Sequence, residues 1–517
     1  MEDVIIRGGA VIDGTGHKGY RADVAVREGV ITAVGNCAGL SARQILDADG
    51  LAVAPGFIDA HAHSDTSFLL CGSSASKLYQ GITTEISGNC GASPFPASPD
   101  EKNEWQCFSF DGFVKKFEES GLGMAVNQAL LVGHGSLRSA VIGGEGRKAA
   151  PEEMEQMKAL LFRDLKAGAW GLSLGLEYAP GFFADRAELC ALGQVVRQFD
   201  GLVPCHMRSE GLAIDAAIQE LLDIGRFSGV RVHVSHLKLD NFRVHGRADQ
   251  VWSSLDQARR EGIRISADMY PYTASCTTLG IRCPQWSREG GGEALARRLQ
   301  GDRRNEIVEG IRLHYFNAER ADTCLINDDG GLWPEIVGKT LRFTAENLLH
   351  TDDYAQAAAE ILVRTRGKAR GIFFVMSEDD MLYFLSRDIG IGTDAGALSA
   401  DPARVPFAPH PRAYGAVSEF FRLARERGLC SLEEAVRRVT SKAADVIGLK
   451  DRGRIREGLA ADITVFDPAA IGPRTTYLDP IQLSRGVVHM LVNGQIALRD
   501  GAQTDVRAGR FLRKGIR

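Results

Sequence analysis

Val53-Ala-Pro-Gly-Phe-Ile-Asp-Ala-His-Ala-His-Ser-Asp65 is an apolar run that ends in two histidines separated by one residue. Alternate side chains of a β-strand point to the same face, so His61 and His63 project in one direction if the strand extends to them. Two neutral imidazoles at a strand end form half of a divalent-metal site. The alternative is an exposed strand end with two ordinary histidines. Because single histidines or cysteines recur at the ends of later predicted strands, the sequence favours the metal.

The composition is that of an ordinary globular protein. The chain has 517 residues, of which 44% are hydrophobic and 25% are charged, with a formal net charge of -5. This balance argues against a nucleic-acid partner and against a basic membrane surface, and no apolar run reaches membrane length. The ten cysteines are scattered without a Cys-x-x-Cys pair, and the acidic N-terminus does not resemble a signal peptide. We therefore expect a cytoplasmic protein with reduced thiols that acts on a small molecule, and the oligomeric state stays open.

The two ends of the chain share a β-rich character. In residues 1–54, alternating strands flank a turn at Arg27-Glu-Gly29. In residues 450–517, a hairpin is predicted to turn at Asn493-Gly494. Neither end is long enough to hold a good core alone. We therefore predict one small β-sandwich built from both ends, with a large domain at 55–449 inserted between them.

Apolar strands alternate with helical patterns in this middle domain, which is typical of parallel βα units. The clearest amphipathic stretches run from Pro151 to Lys166 and from Leu212 to Arg226. Eight strands are predicted, the number that closes a barrel. They begin near Val53, Ile82, Val126, Gly168, Leu202, Val230, Ile263 and Gly390. The predicted fold is therefore α/β, a (β/α)8 TIM-type barrel.

A long gap separates the last two predicted strands. It contains helical patterns of its own, at Glu293 to Leu299 and at Tyr354 to Arg366. We predict an insertion at about 280–365 that lies over the barrel mouth. The apolar run Ile372-Phe-Phe-Val-Met is an alternative ninth strand.

The polar residues at the predicted strand ends are the candidates for chemistry, because the carboxyl ends of barrel strands converge on one face. Six of them are histidines or a cysteine, the ligand types that zinc prefers, provided that the cysteine is a thiolate. His134 is better explained as a residue that supports a turn, and His233 faces the other side of its strand from the ligand face. In chain order, the strand-end residues are His61, His63, Cys90, His134, Tyr178, His206, His236, Asp268, Tyr270 and Asp394.

An ordered set of motifs resembles that of the N-acyl-D-amino-acid deacylases, also called D-aminoacylases, of the amidohydrolase superfamily. The resemblance runs nearly end to end. It implies a zinc-bearing barrel with a split β-sandwich and a lid-like insertion, which hydrolyses the amide bond of N-acyl-D-amino acids. The chain has Gly392-Thr-Asp-Ala where the best-known members carry Gly-Ser-Asp-Gly, which leaves the substrate side chain open. The motifs are Gly56-Phe-Ile-Asp-Ala-His-Ala-His, Ser87-Gly-Asn-Cys-Gly, His206-Met-Arg-Ser-Glu-Gly, Ser235-His-Leu-Lys, Tyr270-Pro-Tyr-Thr-Ala-Ser and His410-Pro-Arg.

The resemblance implies roles for the metal donors. One zinc would be held tightly by Cys90, His206 and His236. Asp394 would act as general base and acid, accepting a proton from a water that zinc has acidified and passing it to the leaving nitrogen. A turn-forming aspartate is the alternative for Asp394. A second, weaker zinc position would be lined by His61, His63 and Asp394, with Cys90 able to bridge.

The resemblance also implies the residues that hold the substrate. Tyr178, Lys238 and Ser275 would bind its carboxylate, although a solvated surface lysine is the alternative for Lys238. Beyond the resemblance, Arg412 in His410-Pro-Arg is a further candidate, because its guanidinium could pair with an acidic substrate side chain. A structural pairing within its own loop explains this arginine at least as well.

Two rival functions remain at this stage. A cyclic-amide hydrolase related to hydantoinases or dihydroorotases would bridge two metals with a carboxylated lysine, but Leu176-Glu-Tyr178 follows the fourth predicted strand and contains no lysine. A non-catalytic barrel that serves as a binding protein would be expected to have lost some of its six ligands. The sequence therefore favours a zinc-dependent hydrolase of linear amides.

Overall fold

Both ends of the chain contribute to one nine-stranded sheet in the computed structural model, which describes residues 1–99 and 103–515. Ala52–Pro55 pairs antiparallel with Ile463–Phe466 and so joins the two ends. The C-terminal hairpin turns at Asn493 and Gly494, whose φ angles of 46° and 79° suit the left-handed conformation that a two-residue turn requires. In spatial order the strands are Ala502–Gln503, Gln495–Arg499, Val487–Val492, Ile463–Phe466, Ala52–Pro55, Glu2–Val11, Tyr20–Arg27 and Val30–Gly35, with Ala42–Asp47 paired to Glu2–Val11.

The middle of the chain contains parallel strands, as the sequence predicts, arranged in a three-stranded and a six-stranded sheet. The amide of Leu131 bonds to Ser87 in the smaller sheet, and the amide of Val132 bonds to Gly171 in the larger one, so a single stretch passes from one sheet to the other. Each strand lies within one of the eight predicted segments. The strands are Phe57–Asp59, Ile82–Ser87, Asn127–Leu130 with Val132–Gly133, Leu172–Gly175, Leu202–His206, Arg231–Val234, Ile265–Met269 and Gly390–Ile391.

The helices between these strands follow the expected sequence signals. The helix Pro151–Lys166 has proline at its first position and buries Met157, Leu161 and Leu165 along one side. No helix among the described residues is both long and apolar enough to cross a membrane. Outside the insertion the helices are Ser67–Cys71, Ala75–Leu78, Phe110–Glu119, His134–Val141, Pro151–Lys166, Arg186–Arg197, Ile214–Ser228, Ala248–Arg260, Glu378–Leu385, Arg412–Arg427, Leu432–Arg438 and Ser441–Ile447.

The inserted segment has a four-stranded antiparallel sheet and a hydrophobic core of its own. Arg370–Phe373, which the sequence offers as a ninth barrel strand, pairs antiparallel with Ser275–Thr278 and Cys324–Asp328. That alternative is therefore wrong, because its partners belong to the insertion. Because Ser275–Thr278 belongs to this sheet, the insertion begins earlier in the sequence than the expected start near residue 280. The helices of the insertion are Gly291–Arg298, Arg304–His314, Leu341–Phe343 and Tyr354–Arg364, and its fourth strand is Lys339–Thr340.

Candidate metal centre and active site

The two histidines of the opening stretch lie beyond their strand, which ends at Asp59. The His61 side chain is fully buried, whereas that of His63 is 31% exposed, and the two rings are 5.3 Å apart. Strand alternation therefore does not explain why they meet. The backbone amide of His61 donates to the Asp59 carboxylate at 3.2 Å, so a local turn sets the direction of the first histidine.

Three donor residues adopt a backbone conformation that is uncommon for residues other than glycine. The φ angles of Cys90, His236 and Asp394 are 53°, 36° and 48°. Such residues cost about 1–3 kcal/mol each and persist where the surrounding structure over-determines them, often at functional sites. Each of the three lies two or three residues beyond the end of a parallel strand, so these turns and not the strands set the directions of the side chains. The turn at Asp394 was the alternative that its sequence offered, and the structure places a turn and a metal-facing carboxylate at the same residue.

Four predicted donors form one tight group. The Cys90 Sγ lies 3.4 Å from the His61 Nε2 and 3.3 Å from the His236 Nε2. The Asp394 Oδ1 lies 3.7 Å from the same nitrogen of His61 and 3.0 Å from the His63 Nε2. A glycine permits this approach, because a Cβ at Gly392 would lie 2.5 Å from the Cβ of His61. The first and last parallel strands therefore bring their donors together.

His206 extends the group on its other side. The His206 Nδ1 lies 3.0 Å from the His236 Nε2, and His206 also contacts the thiol of Cys90. His236 and Cys90 thus lie between two sets of donors, with His61 and Asp394 on one side and His206 on the other. All six predicted metal donors therefore converge. Cys90 contacts donors of both sets, as expected for a residue predicted to bridge two metal positions.

The donors create a negative environment. Burial raises the pKa of the Cys90 thiol, but His236, His61 and His63 lower it, so that it lies well below its ordinary value. Burial lowers the pKa values of His63 and His206, yet the thiolate and nearby carboxylates raise them to about 9 and about 10. The cluster therefore attracts positive charge. A divalent cation would take the place of these protons, as metals do when they bind thiolate and imidazole ligands.

The donor atoms suit zinc in kind and in spacing. Thiolate, imidazole and carboxylate are the ligands that zinc takes in proteins. Metal–ligand bonds of about 2.0–2.3 Å in a tetrahedron place neighbouring ligand atoms about 3.3–3.6 Å apart. The distances from Cys90 to His61 and His236, 3.4 and 3.3 Å, lie in that range. The residues present therefore fit a tetrahedral zinc site.

Two carboxylates that the sequence analysis left without a role support these ligands. Glu210 lies 2.8 Å from the His236 Nδ1, on the opposite side of the ring from the metal-facing nitrogen. Asp268 accepts a hydrogen bond from the backbone amide of His236 at 2.8 Å and lies 3.4 Å from the His61 Nδ1. Such partners fix the orientation of metal-binding imidazoles. Glu210 stands within the quoted motif, four residues after His206, which is the one sequence signal that could have found it.

Two other histidines take structural places. His134 is buried at a helix start, and its Nε2 lies 2.8 Å from Glu188, in agreement with the turn-supporting role expected for it. His233 is buried, with its Nε2 2.6 Å from Asp268 and its Nδ1 2.7 Å from Ser266. It therefore touches the site only through Asp268, which also contacts His61.

The donors face a cavity of about 980 Å³. The four predicted substrate-binding residues line it together with His63, Cys90 and Asp394. The Tyr178 hydroxyl lies 3.0 Å from the Thr277 hydroxyl, and the Ser275 hydroxyl is buried without a hydrogen-bond partner among the described residues. Both hydroxyls come from the wall next to the insertion.

The two predicted cations of the cavity are already paired. Lys238 is buried rather than solvated, and its Nζ donates to both oxygens of Glu210 at 2.7 Å. The strand Arg231–Val234 ends before His236, so strand geometry does not set the position of Lys238. The contact with Glu210, which His236 shares, sets it instead. The Arg412 Nη1 lies 2.8 Å from Asp394 Oδ2. The structure thus joins Arg412 to the predicted base.

The charged groups around Asp394 set its ionisation. Burial raises the pKa of Asp394, but Arg412, His236 and His63 lower it further, so that the carboxylate is ionised. The Arg412 guanidinium also lies over the ring of Tyr270, 4.5 Å from its centroid. The site therefore combines an ionised carboxylate, two cations and a set of metal donors on one cavity wall.

Comparison with known proteins relates the chain to metal-dependent hydrolases. The model of an amidohydrolase family matches residues 44–270 and 393–498. The unmatched stretch between them contains the antiparallel sheet of the insertion. The family match therefore covers all six predicted metal donors, although the last parallel strand, Gly390–Ile391, lies just outside it.

Individual relatives match over nearly the whole chain. An N-acyl-D-glutamate deacylase of Alcaligenes xylosoxydans xylosoxydans is 33% identical, and the match covers 99% of this chain and 96% of the relative. An N-acyl-D-aspartate deacylase of the same organism is 34% identical, over 99% and 95%. The crystal structure of an N-acyl-D-glutamate deacylase from Bordetella bronchiseptica, complexed with zinc and a phosphonate inhibitor that mimics the tetrahedral intermediate, is 32% identical with a TM-score of 0.85, over 99% of both chains.

Proposed function

Because this chain belongs to the amidohydrolase family and, within it, to the N-acyl-D-amino-acid deacylases, we propose that it hydrolyses N-acyl-D-amino acids to a carboxylate and a free D-amino acid. The observation that carries the proposal is the position of Asp394. Its Oδ1 lies 3.0 Å from the His63 Nε2, and its Oδ2 lies 2.8 Å from Arg412. One carboxylate therefore touches both the metal donors and a cation that lines the cavity.

The proposed fold is a closed (β/α)8 barrel at 55–449 with a β-sandwich domain from 1–54 and 450–517. Backbone hydrogen bonds between the first and last strands support closure: the amide of Ala60 donates to Ile391 at 3.2 Å, and that of His63 donates to Ala395 at 3.1 Å. The proposed insertion, expected at about 280–365, lies beside the cavity because its edge strand contributes Ser275. This arrangement places the carboxyl ends of the strands at the cavity, where barrel enzymes have their active sites.

The proposed metal is zinc, with one ion held tightly by Cys90, His206 and His236. The supporting observation is that the His206 Nδ1 and the Cys90 Sγ lie 3.0 and 3.3 Å from the His236 Nε2. A second, weaker position would be lined by His61, His63 and Asp394, with Cys90 shared. A bound zinc ion polarises a carbonyl oxygen and lowers the pKa of an adjacent water.

Asp394 would handle the protons of the reaction. Its ionised carboxylate would accept a proton from the attacking water and then deliver that proton to the leaving nitrogen. The ion pair with Arg412 and the contact with His63 hold the carboxylate in one orientation, which lowers the entropic cost of the proton transfer.

Tyr178, Lys238, Ser275 and Arg412 would hold the substrate. Lys238 keeps its charge close to the donors through Glu210, and a substrate carboxylate could share the ammonium because lysine has three N–H donors. The unpartnered Ser275 hydroxyl would gain a hydrogen bond on substrate binding. Fixed donors on several walls would allow one configuration at the α-carbon to bring the scissile carbonyl to the metal.

We expect N-acetyl-D-amino acids to be hydrolysed at least about 10²-fold faster, in kcat/KM, than their L forms, because a misplaced carbonyl loses the near-attack geometry. The measurement is amine release from matched D and L panels with acidic, apolar and basic side chains, alongside N-acetyl amines that lack the α-carboxylate. A preference for L substrates, or full activity without the α-carboxylate, would contradict the substrate assignment and leave the zinc hydrolase standing.

Lys238→Ala is expected to raise KM about 10- to 100-fold with a smaller fall in kcat, because a charge-assisted hydrogen bond made in both ground and transition states is lost. Steady-state kinetics on the preferred D substrate measure the split. Lys442→Ala is a matched control, since Lys442 pairs with Asp388 and does not line the cavity. An unchanged KM in the Lys238 variant would remove this residue from the substrate site.

A further inference from the structure

Lys77 is a fully buried lysine that lies behind the metal donors. The Lys77 Nζ lies 2.9 Å from Asp59 Oδ2 and 3.0 Å from Glu85 Oε1. It also donates to the Thr393 hydroxyl at 2.7 Å and to the Ala395 carbonyl at 2.9 Å. Burial alone would lower the pKa of Lys77, but Asp59 and Glu85 raise it, so the group is an ammonium.

Two of these contacts fall on the residues that flank Asp394. Thr393 precedes it and Ala395 follows it, and Asp394 between them has a φ of 48°. The amide of Thr393 donates to Asp59 Oδ1 at 2.8 Å, and its hydroxyl donates to Asp59 Oδ2 at 2.6 Å. A non-glycine residue stays in the left-handed region only where its neighbours hold it there. Lys77 and Asp59 supply that restraint on both sides.

The same carboxylate also restrains the first strand end. Asp59 accepts the hydrogen bond from the His61 amide at 3.2 Å as well as those from Thr393. One buried carboxylate thus bonds to the turns that carry His61 and Asp394, which come from opposite ends of the barrel sequence. It acts together with the direct hydrogen bond from the Asp394 amide to the His61 carbonyl at 2.8 Å, and the His61 Nε2 lies 3.7 Å from Asp394 Oδ1.

The cluster continues away from the metal donors and is well satisfied. Glu85 accepts hydrogen bonds from the Ser64 hydroxyl and the Gln128 amide, both at 2.6 Å. The Ser64 hydroxyl in turn accepts a hydrogen bond from the backbone amide of Ala397 at 2.8 Å. A buried ion cluster is weak as a source of stability, since well-packed apolar residues often stabilise as much. Its value lies in the single geometry that a fully satisfied polar network imposes.

We propose that Lys77, Asp59 and Thr393 form a positioning cluster that holds Asp394 and His61 in their working geometry. The proposal rests on the proposed function in that it takes Asp394 as the general base. None of the three residues lines the cavity, so each acts through the backbone turns on either side of Asp394 and before His61. The cluster needs a hydroxyl at position 393, which both threonine and serine provide.

Thr393→Val tests the cluster, because valine keeps the shape of threonine and removes only the hydroxyl. We expect kcat to fall about 10- to 100-fold, the usual cost of losing an outer partner of a metal site, with KM within about threefold. Thr393→Ser keeps the hydroxyl and should restore kcat. Thr365→Val is the control, since it deletes an equally buried hydroxyl that bonds to Ile361 within the insertion. Lys77→Met leaves two buried carboxylates without their cation and is expected to fold poorly, so Thr393→Val carries the test.

A second measurement follows zinc without turnover. Competition with a chromophoric chelator should show that Thr393→Val weakens the second zinc position about 10-fold and leaves the first unchanged, because His61 and Asp394 line only the second. Normal kcat and normal zinc affinity in Thr393→Val would overturn the positioning cluster.

Asp394→Asn, measured in parallel and in combination, separates the two proposals. If the cluster acts through the carboxylate, Thr393→Val should lower kcat in the wild-type background and cost little more in the Asp394→Asn background. An equal loss in both backgrounds, with unchanged zinc affinity at the second position, would mean a general structural defect and would overturn the cluster. Full activity of Asp394→Asn alone would remove the general base from the proposed function, and zinc affinity would then decide on the cluster.

Discussion

Asp394→Asn is expected to lower kcat by about 10²–10⁴-fold while the tightly held zinc stays bound. Asparagine has nearly the shape of aspartate but cannot accept the proton of the attacking water. The three residues proposed for the tight position, Cys90, His206 and His236, do not include Asp394, so the metal content should remain near one zinc per chain. The measurement pairs steady-state kinetics with elemental analysis of the same preparation.

The control for this substitution is Asp388→Asn. Asp388 is a partly exposed carboxylate paired with Arg437 and Lys442, and it does not line the cavity. The two variants lose the same charge, so a difference between them in kcat isolates the chemistry at Asp394. Near-normal turnover in Asp394→Asn would assign the proton transfers to another group. Loss of zinc together with activity would instead mean that the main role of Asp394 is to bind the metal.

Removal of the metal is expected to lower activity by at least about 10³-fold, since a metal ion contributes several kcal/mol of charge stabilisation in such reactions. Dialysis against a chelator, followed by titration with zinc, measures both the loss and its recovery. We expect recovery to be complete at about one zinc per chain, given three ligands at the tight position. Any effect of further zinc reports on the second position at His61, His63 and Asp394.

A matched variant separates loss of metal from damage by the chelator. Cys90→Ser replaces a thiolate with a poorer zinc ligand and should weaken binding at both positions, because the Cys90 Sγ lies within 3.4 Å of donors on each side. Cys205→Ser is the control, since Cys205 is a buried core cysteine that contributes no atom to the metal donors. Activity in protein that is free of any first-row transition metal would contradict the zinc mechanism as a whole.

Much of the frame could be predicted from the sequence because it follows local periodicity. The eight parallel strands lie within the predicted segments, and the helix Pro151–Lys166 has the predicted bounds. The turn at Asn493-Gly494 needs only the φ preferences of two residues. All six candidate metal donors could be chosen because each follows an apolar run at a strand end, where side chains of a parallel sheet converge.

The prediction was less successful where the geometry of the last residues of a strand matters. Strand alternation predicts that His61 and His63 project in one direction only if the strand extends to them. The strand ends at Asp59, and the hydrogen bond from the His61 amide to the Asp59 carboxylate sets the direction of His61 instead. The strand Arg231–Val234 likewise ends before His236, which lies in a left-handed turn, and before Lys238, which Glu210 holds. Periodicity describes the interior of a strand and gives no information on the turn beyond it.

Partners distant in sequence account for the rest. The pairing of Arg412 with Asp394 joins a helix start to a strand end, and Glu210 reaches His236 across 26 positions. Lys77 contacts residues more than 300 positions away, and nothing in its local sequence distinguishes it from a surface lysine. The sequence by itself predicted the parallel strands, the helix Pro151–Lys166 and the candidate metal donors, because these depend on short-range patterns of apolar and polar residues. Only the tertiary structure decided which carboxylates and cations meet behind and beside those donors, because ion pairs in a buried site are set by which strand ends the fold brings into contact.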